Sequence, residues 1–309
     1  MQEVVRDTHI EISIIDLFKQ LWKKKLLIIL VTCVFSIAGV FFALFLPNQY
    51  KAEVMIIPSE ATQSGGLSAL ASQFGGLAGM AGINLSGNAS KKPKIALQIL
   101  KSRTFLIDFI HRNELQILIF AAEGWDIKEN KVLINPKLYD ETQNKWVRKF
   151  DFPKKLTPSD QEIYLVFSKM VDYEVDVREG TYSISVQYFN PNLAAKWANM
   201  LVADINEHMR KLDIEQAEKS VEYLNLQLKN TSIRTTESVF FDLIEEQTKK
   251  AMLAQVQEDY IFSIIDPALA PENKSEPKRA LICILFLVLG FMISSGYVIL
   301  RNYALNKKQ

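Results

Sequence analysis

The chain has 309 residues, with 36 Lys and Arg against 35 Asp and Glu and a net charge of +1 at pH 7. That balance gives no reason to expect a nucleic-acid partner, which would announce itself as a basic patch or stripe. Its two cysteines, Cys33 and Cys283, both sit inside apolar runs, so the rest of the chain has no disulfide framework and is large enough to need none.

In chain order the first strong feature is residues 26–46, an apolar run without Asp, Glu, Lys, Arg or His. At 1.5 Å per residue such a helix is about 31 Å long, matching a bilayer core of ~30 Å. A cleaved signal peptide would have a shorter apolar region ending in small residues. This run leaves through Leu46-Pro47-Asn48-Gln49-Tyr50 and reads as an anchor. Lys19, Lys23, Lys24 and Lys25 precede it, whereas only Lys51 follows closely, so the positive-inside rule predicts a cytoplasmic N-terminus. A second run of the same kind covers residues 280–300. Two crossings place both termini on one side, with roughly 230 residues between them outside the cytoplasm.

After the first span, Tyr50–Pro58 predicts a strand with Tyr50, Ala52, Val54 and Ile56 on one face. Residues 59–92 then hold seven of the twelve glycines. Leu67, Leu70, Phe74, Leu77 and Met80 keep an approximate helical spacing there, but the composition favours a mobile loop. Neither a GxxxxGK[ST] nor a strand–GxGxxG–helix phosphate cradle occurs. From Pro93 one helix is predicted to about His111. Residues 113–156 look extended and turn-rich, with Trp125 and Trp146 as packing aromatics. A Ser159–Glu162 capping box opens a helix ending near Met170. Val171, Tyr173, Val175 and Val177 then alternate, Arg178-Glu179-Gly180 turn the chain, and Tyr182, Ile184, Val186 and Tyr188 alternate back as a hairpin.

Asn190 caps, and Pro191 opens, a very long helix. Leu193, Trp197, Met200, Leu201, Ile205, Met209 and Leu212 form its stripe, resumed by Ala217, Val221, Leu224 and Leu228. A helix of about 40 residues spans ~60 Å and outruns the core it starts from. The pattern weakens around Asn230-Thr231-Ser232, predicting a turn and a second helix to about Tyr260. Such a projecting hairpin needs a partner for its stripe: its own two arms, or another subunit.

The chemistry-bearing residues form no constellation. His9, His111 and His208 are scattered, no Cys or His falls at zinc-ligand spacing, and HExxH, GxSxG and Walker sequences are missing. Glu215, Glu218, Glu222, Glu245 and Glu246 read as a solvated helix face, and nothing marks a carboxylate pair for glycoside chemistry. No catalytic residue, metal or cofactor is expected.

Ahead of the second span stand Asp266-Pro267-Ala268-Leu269-Ala270-Pro271 and Ser275-Glu276-Pro277-Lys278-Arg279, with Gly290 inside the span. These prolines favour an extended, rigid connector. They resemble the proline-rich signature of the polysaccharide co-polymerases, the Wzz-type chain-length determinants of O-antigen. Asp16-Leu17-Phe18, Leu21-Trp22-Lys23, Tyr188-Phe189-Asn190-Pro191 and Tyr223-Leu224 fit the same resemblance, which covers almost the whole chain. One departure is that Gly290 is followed at four-residue spacing by Ser294 and Val298 where family members often repeat Gly. This keeps a small-xxx-small face but shortens it.

The resemblance implies an α+β membrane protein, with two transmembrane helices flanking a periplasmic α/β base and a long projecting helical hairpin. The segments are a cytoplasmic tail (1–25), a first span (26–46), the base (47–190) and the projecting helices (191–260). A proline-rich connector (261–279), a second span (280–300) and a cytoplasmic tail (301–309) complete the chain. It further implies a non-enzymatic regulator of O-antigen length in a Gram-negative inner membrane. Expected partners are a membrane polymerase, the bilayer, the growing glycan, and copies of itself in a ring, commonly an octamer. Pro267, Pro271, Pro277, Gly290 and Ser294 are the expected interaction residues. A capsule co-polymerase remains open on the same residues. A tyrosine autokinase would need a P-loop domain after Leu300, where nine residues follow, unless a separate kinase chain docks here, and a two-span sensor would need a signalling module in the same place. A membrane-anchored glycan enzyme is opposed by the empty motif search.

Overall fold

The computed structural model describes residues 22–59, 91–230 and 234–306. Most of the expected loop at 59–92, most of the N-terminal tail and the turn at Thr231-Ser232 lie outside the described residues. In chain order the elements are α1 (Lys25–Phe45), β1 (Tyr50–Pro58), α2 (Lys91–Leu100), α3 (Arg103–Arg112), α4 (Gln116–Phe120), β2 (Ala122–Asp126) and β3 (Lys131–Ile134). There follow β4 (Tyr139–Asp140), β5 (Lys145–Trp146), α5 (Asp160–Met170), β6 (Val171–Asp176), β7 (Thr181–Tyr188), α6 (Pro191–Lys229), α7 (Arg234–Val256), β8 (Phe262–Asp266) and α8 (Arg279–Asn306). They divide into two units: residues 1–48 with 275–309, and residues 49–274.

The larger unit is an α+β domain around an antiparallel sheet ordered β6-β7-β1-β8. Strand β1 is central, and its period of two is the one expected, since Tyr50, Ala52, Val54 and Ile56 are buried. Its register against β7 runs from Tyr50↔Tyr188 to Ile56↔Tyr182. The β6–β7 hairpin pairs Val171↔Val186 through Asp176↔Thr181, and Gly180 closes its turn at φ +67°. Of the alternating residues Val171, Tyr173, Val175 and Val177, the last two are exposed: Val175 lies near the end of the edge strand β6 and Val177 in the turn beyond it.

Helix α6 starts where expected. The Asn190 side chain accepts from the Asn192 and Leu193 amides at 2.9 and 3.2 Å, and Pro191 opens the first turn. Ala194, Trp197, Ala198, Leu201, Val202 and Ile205 are buried against the sheet and its covering helices. Trp197 packs at 4.4 Å between ring centroids on Tyr188 and at 6.0 Å on Phe167. Beyond Ala217 no α6 residue is buried, and from there α6 and α7 form a two-helix arm that outruns the core. The Ser159 capping box of α5 is present in full.

Three expectations are corrected. The single helix over 93–111 is two helices, because Ser102 is extended and caps α3 by accepting from the Phe105 amide at 3.3 Å. Both halves bury apolar residues, so the hydrophobic period runs through the break unmarked. The segment 113–156 is not wholly extended, since it begins with the short helix α4. The connector placed at 261–279 starts inside the sheet: β8 pairs with β1 from Phe262↔Pro58 to Asp266↔Met55. A five-residue edge strand carries too little local pattern to be read without its partner.

In the smaller unit α1 and α8 pack on each other. Both are long and apolar enough to cross a membrane.

Candidate functional site

The expected interaction residues fall in both units. Pro267 and Pro271 belong to the larger one and Pro277, Gly290 and Ser294 to the smaller.

Gly290 and Ser294 share one face of α8. A Cβ on Gly290 would stand 2.7 Å from the Phe35 Cβ and 3.2 Å from the Thr32 Cα, so α8 meets the α1 backbone where it has no side chain. Ser294 is buried and donates to the Phe291 carbonyl at 3.0 Å, satisfying its hydroxyl within the helix. Val298 is buried on the same face, so the small-xxx-small surface extends one turn further with a larger residue. The reciprocal contact was missed in the sequence. Gly39 of α1 receives Phe286, whose Cβ would lie 2.6 Å from an added Cβ. The two helices thus exchange a Phe for a Gly twice, and the lone Gly within 26–46 was the available signal. Beyond the apolar runs, Arg279 donates to Asn48 at 3.0 Å.

In the proline-rich segment Pro267 is exposed and Pro271 half-buried, whereas Ala268 between them is buried and bonded to Asn199 of α6. The prolines are therefore presented, and the alanine is the anchor.

The α6–α7 arm exposes the apolar side chains of Tyr223, Leu226, Phe241, Met252 and Leu253. At its root Asp213 joins three elements. It accepts from Lys92 at 2.7 Å and from the Tyr260 hydroxyl at 2.5 Å, with Lys250 3.9 Å away. Burial pushes the Asp213 carboxyl up, but the bonds from Lys92 and Tyr260 outweigh it and hold it below the usual range. The same burial and the Asp213 charge push the Tyr260 hydroxyl up. This cluster is built to hold the arm's root, since each charge has its partner. Among the described residues no group of His, Cys, Asp and Glu is arranged to hold a metal.

Residues 10–112 match the family described as Wzz, chain length determinant protein, and residues 221–303 match a G-rich domain on putative tyrosine kinase. Over 53 residues the chain is 43% identical to the capsular polysaccharide biosynthesis protein CpsC of Streptococcus agalactiae, covering 17% of this chain and 23% of that protein. The protein of the same name from S. agalactiae serotype Ia gives the same figures. Among solved structures, a full-length bacterial polysaccharide co-polymerase aligns over 95% of this chain and 99% of its own, at 14% identity and a TM-score of 0.39. A fragment of WzzB, a polysaccharide co-polymerase from Salmonella Typhimurium, aligns over 74% of this chain and all of its own, at 11% identity and a TM-score of 0.32.

Proposed function

We propose, from the match of residues 10–112 to the Wzz chain length determinant model, that the chain regulates the length of a surface polysaccharide without making the polymer's bonds itself. The observation that carries this is the family match on a chain with one candidate membrane helix near each end and a folded α+β unit between them. The bonds would be made by a membrane polymerase, with Pro267, Pro271, Pro277, Gly290 and Ser294 facing it or neighbouring spans. Several copies would assemble as a ring, an octamer on the family resemblance, through the apolar surface of the α6–α7 arm. The location would be the bacterial inner membrane with both termini in the cytoplasm, as the lysines before the first span favour.

The polymer we favour is O-antigen. The identity with the CpsC proteins supports capsular polysaccharide as the second reading. It rests on under a quarter of those proteins' length. The test is to delete the gene and resolve the cell's lipopolysaccharide and capsule on gels. The expected outcome is polymer still made, with its length distribution broadened or shifted, and the polymer that changes identifies the substrate. Complete loss of both polymers on deletion, restored by the intact gene, would replace this reading with an essential or catalytic role.

A further inference from the structure

Helix α6 carries Asn199, Asn206 and Asp213 at seven-residue spacing. That is about two turns, so the three lie along one face. All three hold the chain on its way back from α7. Asp213 accepts from the Tyr260 hydroxyl. The Asn206 carbonyl accepts from the Ile261 and Phe262 amides at 3.1 and 2.9 Å, and its Nδ2 donates to the Phe262 carbonyl at 2.7 Å. Asn199 donates to the Ala268 carbonyl at 2.9 Å and accepts from the Ala268 amide at 2.9 Å. Between these rungs Arg210 donates to the carbonyls of Gln257 and Glu258.

An asparagine side chain offers the same donor and acceptor as a peptide unit, so it can pair with backbone as a strand would. For Asn206 this stabilises the start of β8, which also pairs with β1. Asn199 differs, because Ala268 lies past the end of β8, in a stretch where Pro267 and Pro271 have no amide to give to a ladder. Ala268 is 5% exposed and its neighbour Leu269 is 75% exposed. The chain is thus pinned at one residue and released at the next.

We infer that Asn199 is a positioning residue: it sets the register of the proline-rich segment on α6, so that the segment's first residues move with the buried half of the helix from which the arm extends. Its consequence for polymer length rests on the regulator reading above. Loss of Asn199 leaves the Ala268 amide and carbonyl without these bonds, while the rungs at Asn206 and Asp213 stay in place.

The test uses the full chain in nanodiscs, carrying Asn199→Ala or Asn199→Asp. The aspartate keeps an acceptor for the Ala268 amide but sets a charge against its carbonyl, and it serves if the alanine variant fails to fold. Hydrogen exchange at Ala268 should quicken about tenfold or more in Asn199→Ala and by less in Asn199→Asp, with the Phe262 amide unchanged. In cells the same variants should shift the polymer length distribution while polymer is still made. Unaltered exchange at Ala268 would overturn the clamp. Faster exchange with a wild-type distribution, in a strain where deleting the gene does change it, would overturn the positioning role. If deletion itself leaves the distribution unchanged, the regulator reading falls and takes that role with it, and the exchange result still decides the clamp.

Discussion

Gly290 of α8 stands against Phe35 of α1 so closely that any side chain there must displace the first span. Gly290→Leu should force α8 off α1, since small residues are what let two membrane helices meet backbone to backbone. Gly290→Ala already places a Cβ at 2.7 Å from Phe35 and should show a weaker form of the same defect. Both proteins should still insert, and polymer should still be made with a shifted or broadened length. A gel showing no polymer, from cells that retain the inserted protein, would refute this. Pro277→Ala, which loosens the connector without emptying a core, belongs in the same assay.

Arg148 is 6% exposed and makes paired bonds to Glu162 at 2.9 and 2.8 Å while donating to the Lys155 and Leu156 carbonyls. Its truncation to Ala should cost about 3 kcal/mol or more, the scale of breaking a buried pair by removing one partner. Thermal unfolding of the full chain would measure it. The Arg148 bonds hold the Glu162 carboxyl down at about 2, against 4.5 for a free one. A depressed carboxylate contributes stability that is complete above about pH 4.5 and is lost as the pH falls toward 2. Unfolding midpoints should therefore drop across that window. They should drop less steeply in Glu162→Gln, which starts from a lower stability at pH 7.

Asp204 has the opposite sign. Burial pushes its carboxyl up, and Arg112 at 3.1 Å only partly opposes this, since Asp204 Oδ2 has no well-aligned hydrogen bond. A raised carboxyl contributes stability at low pH that is lost as the pH rises through its folded value. Asp204→Asn should accordingly raise the unfolding midpoint at pH 7, with the gain vanishing as the medium becomes acid. A lower midpoint at pH 7 would show that the Arg112 pair outweighs the burial.

Topology can be read with reporter fusions. A periplasmic reporter fused near Gln143 should be active, and a cytoplasmic reporter at Gln309 should be active. A cytoplasmic signal at Gln143 would reverse the orientation drawn from Lys23, Lys24 and Lys25.

Tyr223 and Leu226 are 61% and 52% exposed on the arm. In a mild detergent or nanodisc the chain should form closed assemblies of about six to twelve copies, seen by mass photometry. Asp at both positions should shift them to smaller species. Strictly monomeric wild-type particles would leave the arm's apolar surface without the partner proposed for it.

Much of this protein could be read directly from residue patterns, because the forces involved act within a few residues. Hydropathy marked both candidate spans, a period of two marked β1 and the β6–β7 hairpin, and Asn190-Pro191 and Ser159–Glu162 marked helix starts by satisfying nearby amides. Gly290 and the prolines stood out by residue type, yet their type did not reveal what they touch. What tertiary structure alone decided depends on partners distant in the chain. The residues of β8 become a strand only when β1, some 200 positions earlier, offers its edge. Gly39 gains meaning only from Phe286. Asn199 and Asn206 look like ordinary polar residues on a helix until the returning backbone lies beside them. Their bonds satisfy peptide groups 69 and 55 or 56 residues away, and no local period records such a bond, because its energy appears only once both segments are in place.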